Sequence, residues 1–210
     1  MRPFTTLSSK AVPMRRANVD TDQLIPARFL RKPRGDGYHP YLFHDMRRDA
    51  DGEINGDFIL DHATHAEAEI IVADRNFGCG SSREGAVYAL RDAGYRCVIA
   101  PSFGDIFYNN STKNGLLPIV LDRESIETIW EILEADASAP LSIDLQSCEI
   151  TLPNGPSIPF EIDPFKRESM LSGTDDIDLT LDSLDDIERH EQSVQMERPW
   201  LTPSPAHAKE

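Results

Sequence analysis

Between residues 69 and 121 short apolar runs alternate with segments of helical spacing, and that alternation restricts the chain to an α/β fold. Ile70-Ile71-Val72-Ala73 is apolar and largely β-branched, as a strand buried on both faces must be. Ala86, Ala89, Leu90 and Ala93 then recur at helical spacing, which predicts a helix over 82–93 with Gly94 at its carboxyl cap. Residues 95–100 return to a strand pattern that Pro101 ends, a second helix fits 103–113 ahead of Gly115, and Leu117 to Leu121 supplies a third strand. Strand–helix–strand–helix–strand requires parallel pairing with right-handed crossovers, because a short connection cannot return the chain to the start of a parallel neighbour.

The flanks are less regular. Residues 10–14 fit a short strand, and 31–57, rich in Gly, Pro, Asp and Arg, read as a long loop excursion of the kind that is either functional or disordered. A helix is expected over 124–136 with Ile126, Ile129, Trp130 and Leu133 on one face. Strands are expected over 141–146 and 148–152, a turn at Pro153-Asn154-Gly155-Pro156, and a strand end followed by a helix within 160–172. Residues 183–197 predict an acidic amphipathic helix with Leu184, Ile187 and Val194 inward. The reading is therefore one domain over 1–197 followed by a flexible tail over 198–210, which contains three prolines.

Composition removes several function classes. The formal net charge of −15 and the lack of any basic stripe argue against nucleic acid and anionic membrane surfaces as partners. No apolar run approaches the roughly 18 residues that span a bilayer, and Met1-Arg2-Pro3-Phe4-Thr5-Thr6 has no apolar core such as a signal peptide needs. The three cysteines, Cys79, Cys97 and Cys148, are odd in number and without C-x-x-C spacing. They predict neither a disulfide framework nor a metal site in this chain, and they suit a reducing cytoplasm. Cys97 reads as core, and Cys79 as a small residue in a glycine turn that could line a site. His39, His44, His62 and His65 show no zinc-like pattern and read as solvated.

The chemistry is concentrated in Asn76-Phe77-Gly78-Cys79-Gly80-Ser81-Ser82-Arg83-Glu84, between the first strand and the first helix. Amides at such a turn favour an anion, and a guanidinium can grip a carboxylate with two parallel bonds. Three readings compete. Gly78 and Gly80 begin a dinucleotide fingerprint, but Arg83 stands where the third glycine is required. Ser81-x-x-Glu84 is a capping box, which would tie up the hydroxyl that catalysis needs, although two adjacent serines allow one to cap while the other faces ligand. In the catalytic reading a serine alkoxide, stabilised by amides and Arg83, removes a proton from carbon beside a carboxylate. That reaction needs an electrophile this chain does not encode, so it points to a partner. Asp20 and Asp22 read as a turn and cap before Leu24-Ile25 rather than a metal pair, and Arg28 and Arg34 are candidate carboxylate binders that also read as surface charges.

The blocks Asn18-Val19-Asp20-Thr21-Asp22-Gln23-Leu24-Ile25-Pro26, Gly78-Cys79-Gly80-Ser81-Ser82-Arg83-Glu84, Pro101-Ser102-Phe103-Gly104-Asp105-Ile106-Phe107-Tyr108-Asn109-Asn110 and Asp175-Asp176-Ile177-Asp178-Leu179-Thr180-Leu181 resemble the small subunits of 3-isopropylmalate dehydratases, of the aconitase superfamily, over about residues 4–201. The resemblance implies a three-layer β/β/α swivelling domain and a large partner subunit that holds a [4Fe–4S] cluster. It implies isomerisation of 2-isopropylmalate to 3-isopropylmalate by dehydration and rehydration, a step of leucine biosynthesis. By the same resemblance Ser81 is the catalytic base, and Arg83, with Ser82, Gly80 and Arg34, binds the dicarboxylate substrate. Asp20, Thr21, Asp22, Cys79 and Gly85 would line the site, with Asp20 and Asp22 steering its groups. The family usually carries His at position 85, and Pro and Trp where Val87 and Tyr88 stand. Glycine early in a helix costs about 0.5–1 kcal/mol against alanine, so Gly85 predicts that a ligand or neighbouring segment needs the space. The loop Arg31–Tyr38, which includes Asp36, also departs from the family pattern. Two alternatives stand beside this reading: a related small subunit acting on another substituted malate or maleate, and a carboxylate-binding domain without catalysis.

Overall fold

The computed structural model describes residues 1–201 except 50, 55, 154, 175 and 182. It divides into two compact units, Met1–Gly173 and Thr174–Glu210. The first unit is built from β1 (Thr6–Ser9), β2 (Ala11–Met14), α1 (Thr21–Leu24), α2 (His44–Arg47), β3 (Ile70–Ala73), α3 (Gly85–Asp92), β4 (Cys97–Ala100), α4 (Asp105–Lys113), β5 (Leu117–Val120), α5 (Arg123–Ala135), β6 (Leu141–Asp144), β7 (Glu149–Thr151), β8 (Ser157–Pro159) and α6 (Pro164–Ser172). A parallel sheet has the order β2-β3-β4-β5, and an antiparallel sheet the order β1-β6-β7-β8. Only Lys10 separates β1 from β2, so the chain changes sheets within one residue.

The period of two along the parallel strands sorts side chains into two cores. Ile70, Val72, Cys97, Ile99, Leu117 and Ile119 face the antiparallel sheet and α5, where Leu7, Ile143, Ile150 and Trp130 meet them. Ile71, Ala73, Val98 and Ala100 face the other way, onto Leu24, Ala86, Ala89, Leu90 and Phe107 from α1, α3 and α4. The result is the expected three layers, antiparallel strands, parallel strands and helices. Trp130 closes the first core with its indole N–H donating to Val72 O at 2.9 Å, so its one polar atom is not left unpaired.

Most elements predicted from the sequence are present, and the discrepancies have local causes. The strand pattern of β1 was not legible because Thr-Leu-Ser-Ser offers one apolar residue; its partner β6 completes it, pairing Leu7 with Ile143. The excursion over 31–57 is not an open loop. It folds back through 3-10 turns at Arg34–Asp36 and His39–Tyr41 and places Tyr38, Leu42 and Phe43 in the second core, with Phe43 fully buried at a left-handed φ of 51°. The predicted turn at 153–156 includes position 154, which lies outside the described residues; Gly155 N–H donates to Leu152 O at 3.3 Å.

The second unit contains α7 (Asp176–Leu181) and α8 (Leu184–Glu197). The acidic helix forms as predicted, but its apolar face is not inward: α8 buries no residue, and Leu184 is 45% exposed. Two short helices carry too little apolar area to enclose a core of their own. Of the tail predicted over 198–210, Pro199–Leu201 forms a 3-10 turn and 202–210 lie outside the described residues.

The packing between the loops that follow the parallel strands tolerates no added atoms. A Cβ on Gly104 would stand 2.6 Å from Gly78 O, a backbone atom that cannot swing aside. Gly104→Ala is therefore expected to cost about 1–3 kcal/mol, as overpacking does. Urea unfolding of the purified chain would show this as a lower midpoint with an unchanged slope.

Candidate functional site

The loops that leave the carboxyl ends of β2, β3 and β4 are stitched together by their backbones. Gly78 N–H donates to Val19 O at 2.7 Å, Thr21 N–H to Cys79 O at 2.8 Å, Phe77 N–H to Ser102 O at 3.0 Å and Gly104 N–H to Phe77 O at 2.9 Å. Clefts at the carboxyl ends of parallel strands are where open α/β sheets place their ligands. Three positions turn the chain here: Asn76 at φ 61°, Gly78 at φ 71° and Gly80 at φ 93°. Gly78 admits no side chain, since a Cβ would lie 2.1 Å from Phe107 Cγ.

Helix α3 begins at Gly85, not at residue 82, and its N-cap Glu84 makes no side-chain capping bond. The capping box expected of Ser81 and Glu84 is therefore absent. Glu84 instead accepts from Asn114 Nδ2 at 2.7 Å, a contact between distant segments that no local pattern announces. Ser81 and Ser82 are exposed, and neither hydroxyl has a protein partner among the described residues. The amides of Gly80, Ser81 and Ser82 also donate to no protein acceptor among the described residues. Unengaged N–H groups with two hydroxyls beside them are donors that an anion can accept from.

The four-residue helix α1 packs under this turn. Asp20 caps it, accepting from Gln23 N–H at 2.7 Å, which is the structural role its spacing predicts. Thr21 is buried, and its hydroxyl donates to Ser81 O at 3.1 Å. Asp22 is paired with Arg83 through Oδ1 and Nη1. The rest of the Arg83 fork has no protein partner among the described residues, and the side chain is 23% exposed, so it can still receive a carboxylate. Cys79 sits below the turn, partly buried, and that burial together with Asp20 pushes its thiol up from the ordinary range.

Arg34 is not brought to this turn. It makes a two-bond ion pair with Asp92, at 2.6 and 2.9 Å, and its guanidinium lies 4.4 Å from the Tyr88 ring centre. Asp92 ends α3 while the serines precede it, so Arg34 is anchored about 12 Å along the helix axis from the turn. Arg28 likewise pairs with Asp45 over the Phe29 ring. Gly85 is explained by the chain itself: a Cβ there would meet Leu30 Cδ2 at 2.6 Å, with Tyr38 Cε2 at 3.5 Å beside it, so Leu30, just ahead of the folded-back excursion, occupies the space. His65 departs from the solvated reading, being only 8% exposed, and burial beside His62 lowers its pKa. Among the described residues no three His, Cys, Asp or Glu side chains gather as a metal ion requires, and no helix is long and apolar enough to cross a membrane.

Comparison with known proteins identifies the family. Residues 1–124 match the family described as aconitase C-terminal domain, 127–164 match one described as LeuD_N, and 176–204 match the C-terminal domain family of the 3-isopropylmalate dehydratase small subunit. The 3-isopropylmalate dehydratase small subunit of Roseobacter denitrificans is 46% identical over 201 residues, 96% of this chain and 100% of that protein. That of Afipia carboxidovorans is 48% identical over the same shares. The chain belongs to the family of 3-isopropylmalate dehydratase small subunits. A crystal structure titled 3-isopropylmalate dehydratase, from Methanocaldococcus jannaschii, superposes with a TM-score of 0.61 at 30% identity, covering 88% of this chain and 99% of that one. The fold shared with that structure is the three-layer α/β arrangement described above.

The cysteine environments give a direct check on the packing beneath the turn. Cys97 is fully buried between the sheets and its thiol is raised well above the usual range. Alkylation at about pH 8, near the ordinary thiol pKa, is expected to leave Cys97 unmodified in the native chain and to modify it completely in denaturant. Cys79 should react more slowly than an exposed thiol. Peptide mass mapping of the labelled protein measures both.

Proposed function

We propose that this chain is the small subunit of a hydro-lyase that converts 2-isopropylmalate to 3-isopropylmalate in leucine biosynthesis, acting in the cytoplasm together with a large subunit. The observation that carries the proposal is the pairing of an unengaged Ser81 hydroxyl with an Arg83 fork on one tight turn, in a chain of this family. Arg83, steadied by Asp22, grips one substrate carboxylate. The amides of Gly80, Ser81 and Ser82 and the Ser82 hydroxyl surround the oxygens that gain charge. Ser81 Oγ, as alkoxide, takes the proton from the carbon beside that carboxylate as the hydroxyl leaves the neighbouring carbon, and returns it to the other carbon when water adds back. A [4Fe–4S] cluster on the large subunit would supply the Lewis acid for departure of the hydroxyl.

The partner and cluster enter this reading through the chemistry of the donor set. A serine base and a guanidinium bind and deprotonate, but neither can polarise a tertiary hydroxyl for departure. The isolated chain is therefore expected to have no turnover, and the pair with a cluster-loaded large subunit to be active. A panel comparing 2-isopropylmalate with smaller alkylmalates on that pair tests the substrate; a clear preference for a smaller alkylmalate would replace isopropylmalate in this reading.

In the reconstituted enzyme Ser81→Ala should lower kcat by about 10²–10⁴-fold, the usual worth of a positioned base, with little change in KM. Unchanged turnover would remove Ser81 from the role. Arg83→Lys keeps the charge but not the fork and should raise KM by roughly tenfold, a loss near 1.4 kcal/mol. Steady-state kinetics of the two variants separates the base from the anchor.

A further inference from the structure

A second group of cations lies far from the serine turn, in a chain whose acidic residues outnumber its basic ones 36 to 21. Such an excess lets arginines find carboxylates readily. Arg15, Arg28, Arg34, Arg47, Arg83, Arg123 and Arg189 each hold an acidic partner. Arg2, Arg91 and Arg96, like Arg16, Arg31, Arg48, Arg75, Arg167 and Arg198, make no ion pair among the described residues, but these three lie close together. Arg96 Nη2 donates to Pro3 O at 3.3 Å, and its guanidinium lies 4.8 Å from the centre of the Phe4 ring. Arg91 Nη2 and Met1 Sδ both stand within 4 Å of the point where a Gly115 Cβ would be. Arg2 lies on the same short stretch, between the two residues these arginines approach.

Arg91 and Arg96 feel the cations around them. Burial and the neighbouring cations lower the pKa of both Arg91 and Arg96, with Arg2 acting on each. Glu69 is the carboxylate that acts on both, and Asp92, beside Arg91, is already held by Arg34 and by the Tyr38 amide at 2.6 Å. Arg96 Nε is moreover buried without a hydrogen-bond partner. A buried guanidinium N–H with no acceptor, beside two further cations, is an unmet demand for an oxyanion.

We propose that Arg2, Arg91 and Arg96 form a second anion site that takes a small dianion, a phosphate or a dicarboxylate, through forked guanidinium contacts. The site is separate from the serine turn. Arg91 lies in the last turn of α3 and Arg96 just ahead of β4, whereas Ser81 to Arg83 precede α3 and Ser102 follows β4. One helix of about 12 Å and one strand of about 13 Å lie between the two places. A dianion there bridges the N-terminal stretch, the end of α3 and the start of β4, and removes the repulsion among the three cations.

Calorimetric titration of the full chain with inorganic phosphate, and separately with succinate, at matched ionic strength tests the site and distinguishes the two dianions. Arg83→Gln removes the guanidinium of the turn, and the double variant Arg91→Gln/Arg96→Gln removes the proposed site. Binding that survives Arg83→Gln and weakens by about tenfold or more, a 1.4 kcal/mol change, in the double variant supports the proposal. Arg2→Gln, at an exposed position, serves if the double variant does not fold, and is expected to weaken binding several-fold. Absence of binding to the native chain, or equal binding to the native chain and to the variants of this cluster, would overturn the proposal. So would binding abolished by Arg83→Gln alone, which would assign the anion to the turn.

Discussion

The site depends on backbone hydrogen bonds between loops that are distant in sequence. Val19, Phe77, Gly78, Cys79, Ser102 and Gly104 exchange amides and carbonyls across the ends of three parallel strands. This lattice is possible only because Gly78 lets Phe107 approach its α-carbon and Gly104 lets Gly78 O approach in turn. Buried backbone groups must be paired, and pairing them between loops rather than within one leaves the next residues little freedom. Ser81 and Arg83 lie just beyond this lattice, so their positions are inherited from it.

The helix α1 extends the same logic to side chains. It is too short to be stable alone, and it persists because Asp20 caps it and because Thr21 and Leu24 are buried. From that fixed base Thr21 holds a carbonyl of the serine turn and Asp22 a nitrogen of Arg83. A polar segment that looks like an ordinary turn thus braces the serine turn. The excursion over 31–57 plays a comparable part on the far side of α3, where Arg34 clamps Asp92, while Leu30 just ahead of it fills the space above Gly85. These contacts leave the amino end of α3 open and close its flank.

The separation of roles also accounts for the chain's electrostatics. Several arginines neutralise single carboxylates at the surface, where such pairs add little to stability. Arg83 keeps most of its fork uncommitted at the turn, and Arg2, Arg91 and Arg96 make no ion pair among the described residues at the opposite end of the same helix and strand. The serine turn and the second cation cluster therefore sit at opposite ends of the α3–β4 unit, as the direction of parallel strands requires of residues that precede and follow them.

The amino-acid sequence by itself determined the strand–helix alternation, the parallel sheet, the core faces of α3 and α5, the burial of Cys97 and the place of the serine turn. These rest on local periodicity and on glycine at positive φ, which a chain carries in its own order of residues. It also carried the family resemblance, through several ordered blocks. Tertiary structure alone decided that Ser81 does not cap α3, that Arg34 belongs to Asp92 and that Tyr38, Leu42 and Phe43 are core. It alone decided the strand at Thr6–Ser9 and the meeting of Arg2, Arg91 and Arg96. Each of these depends on contacts between segments far apart in the chain, and pairings at that range are set by how the layers pack rather than by any spacing along the sequence.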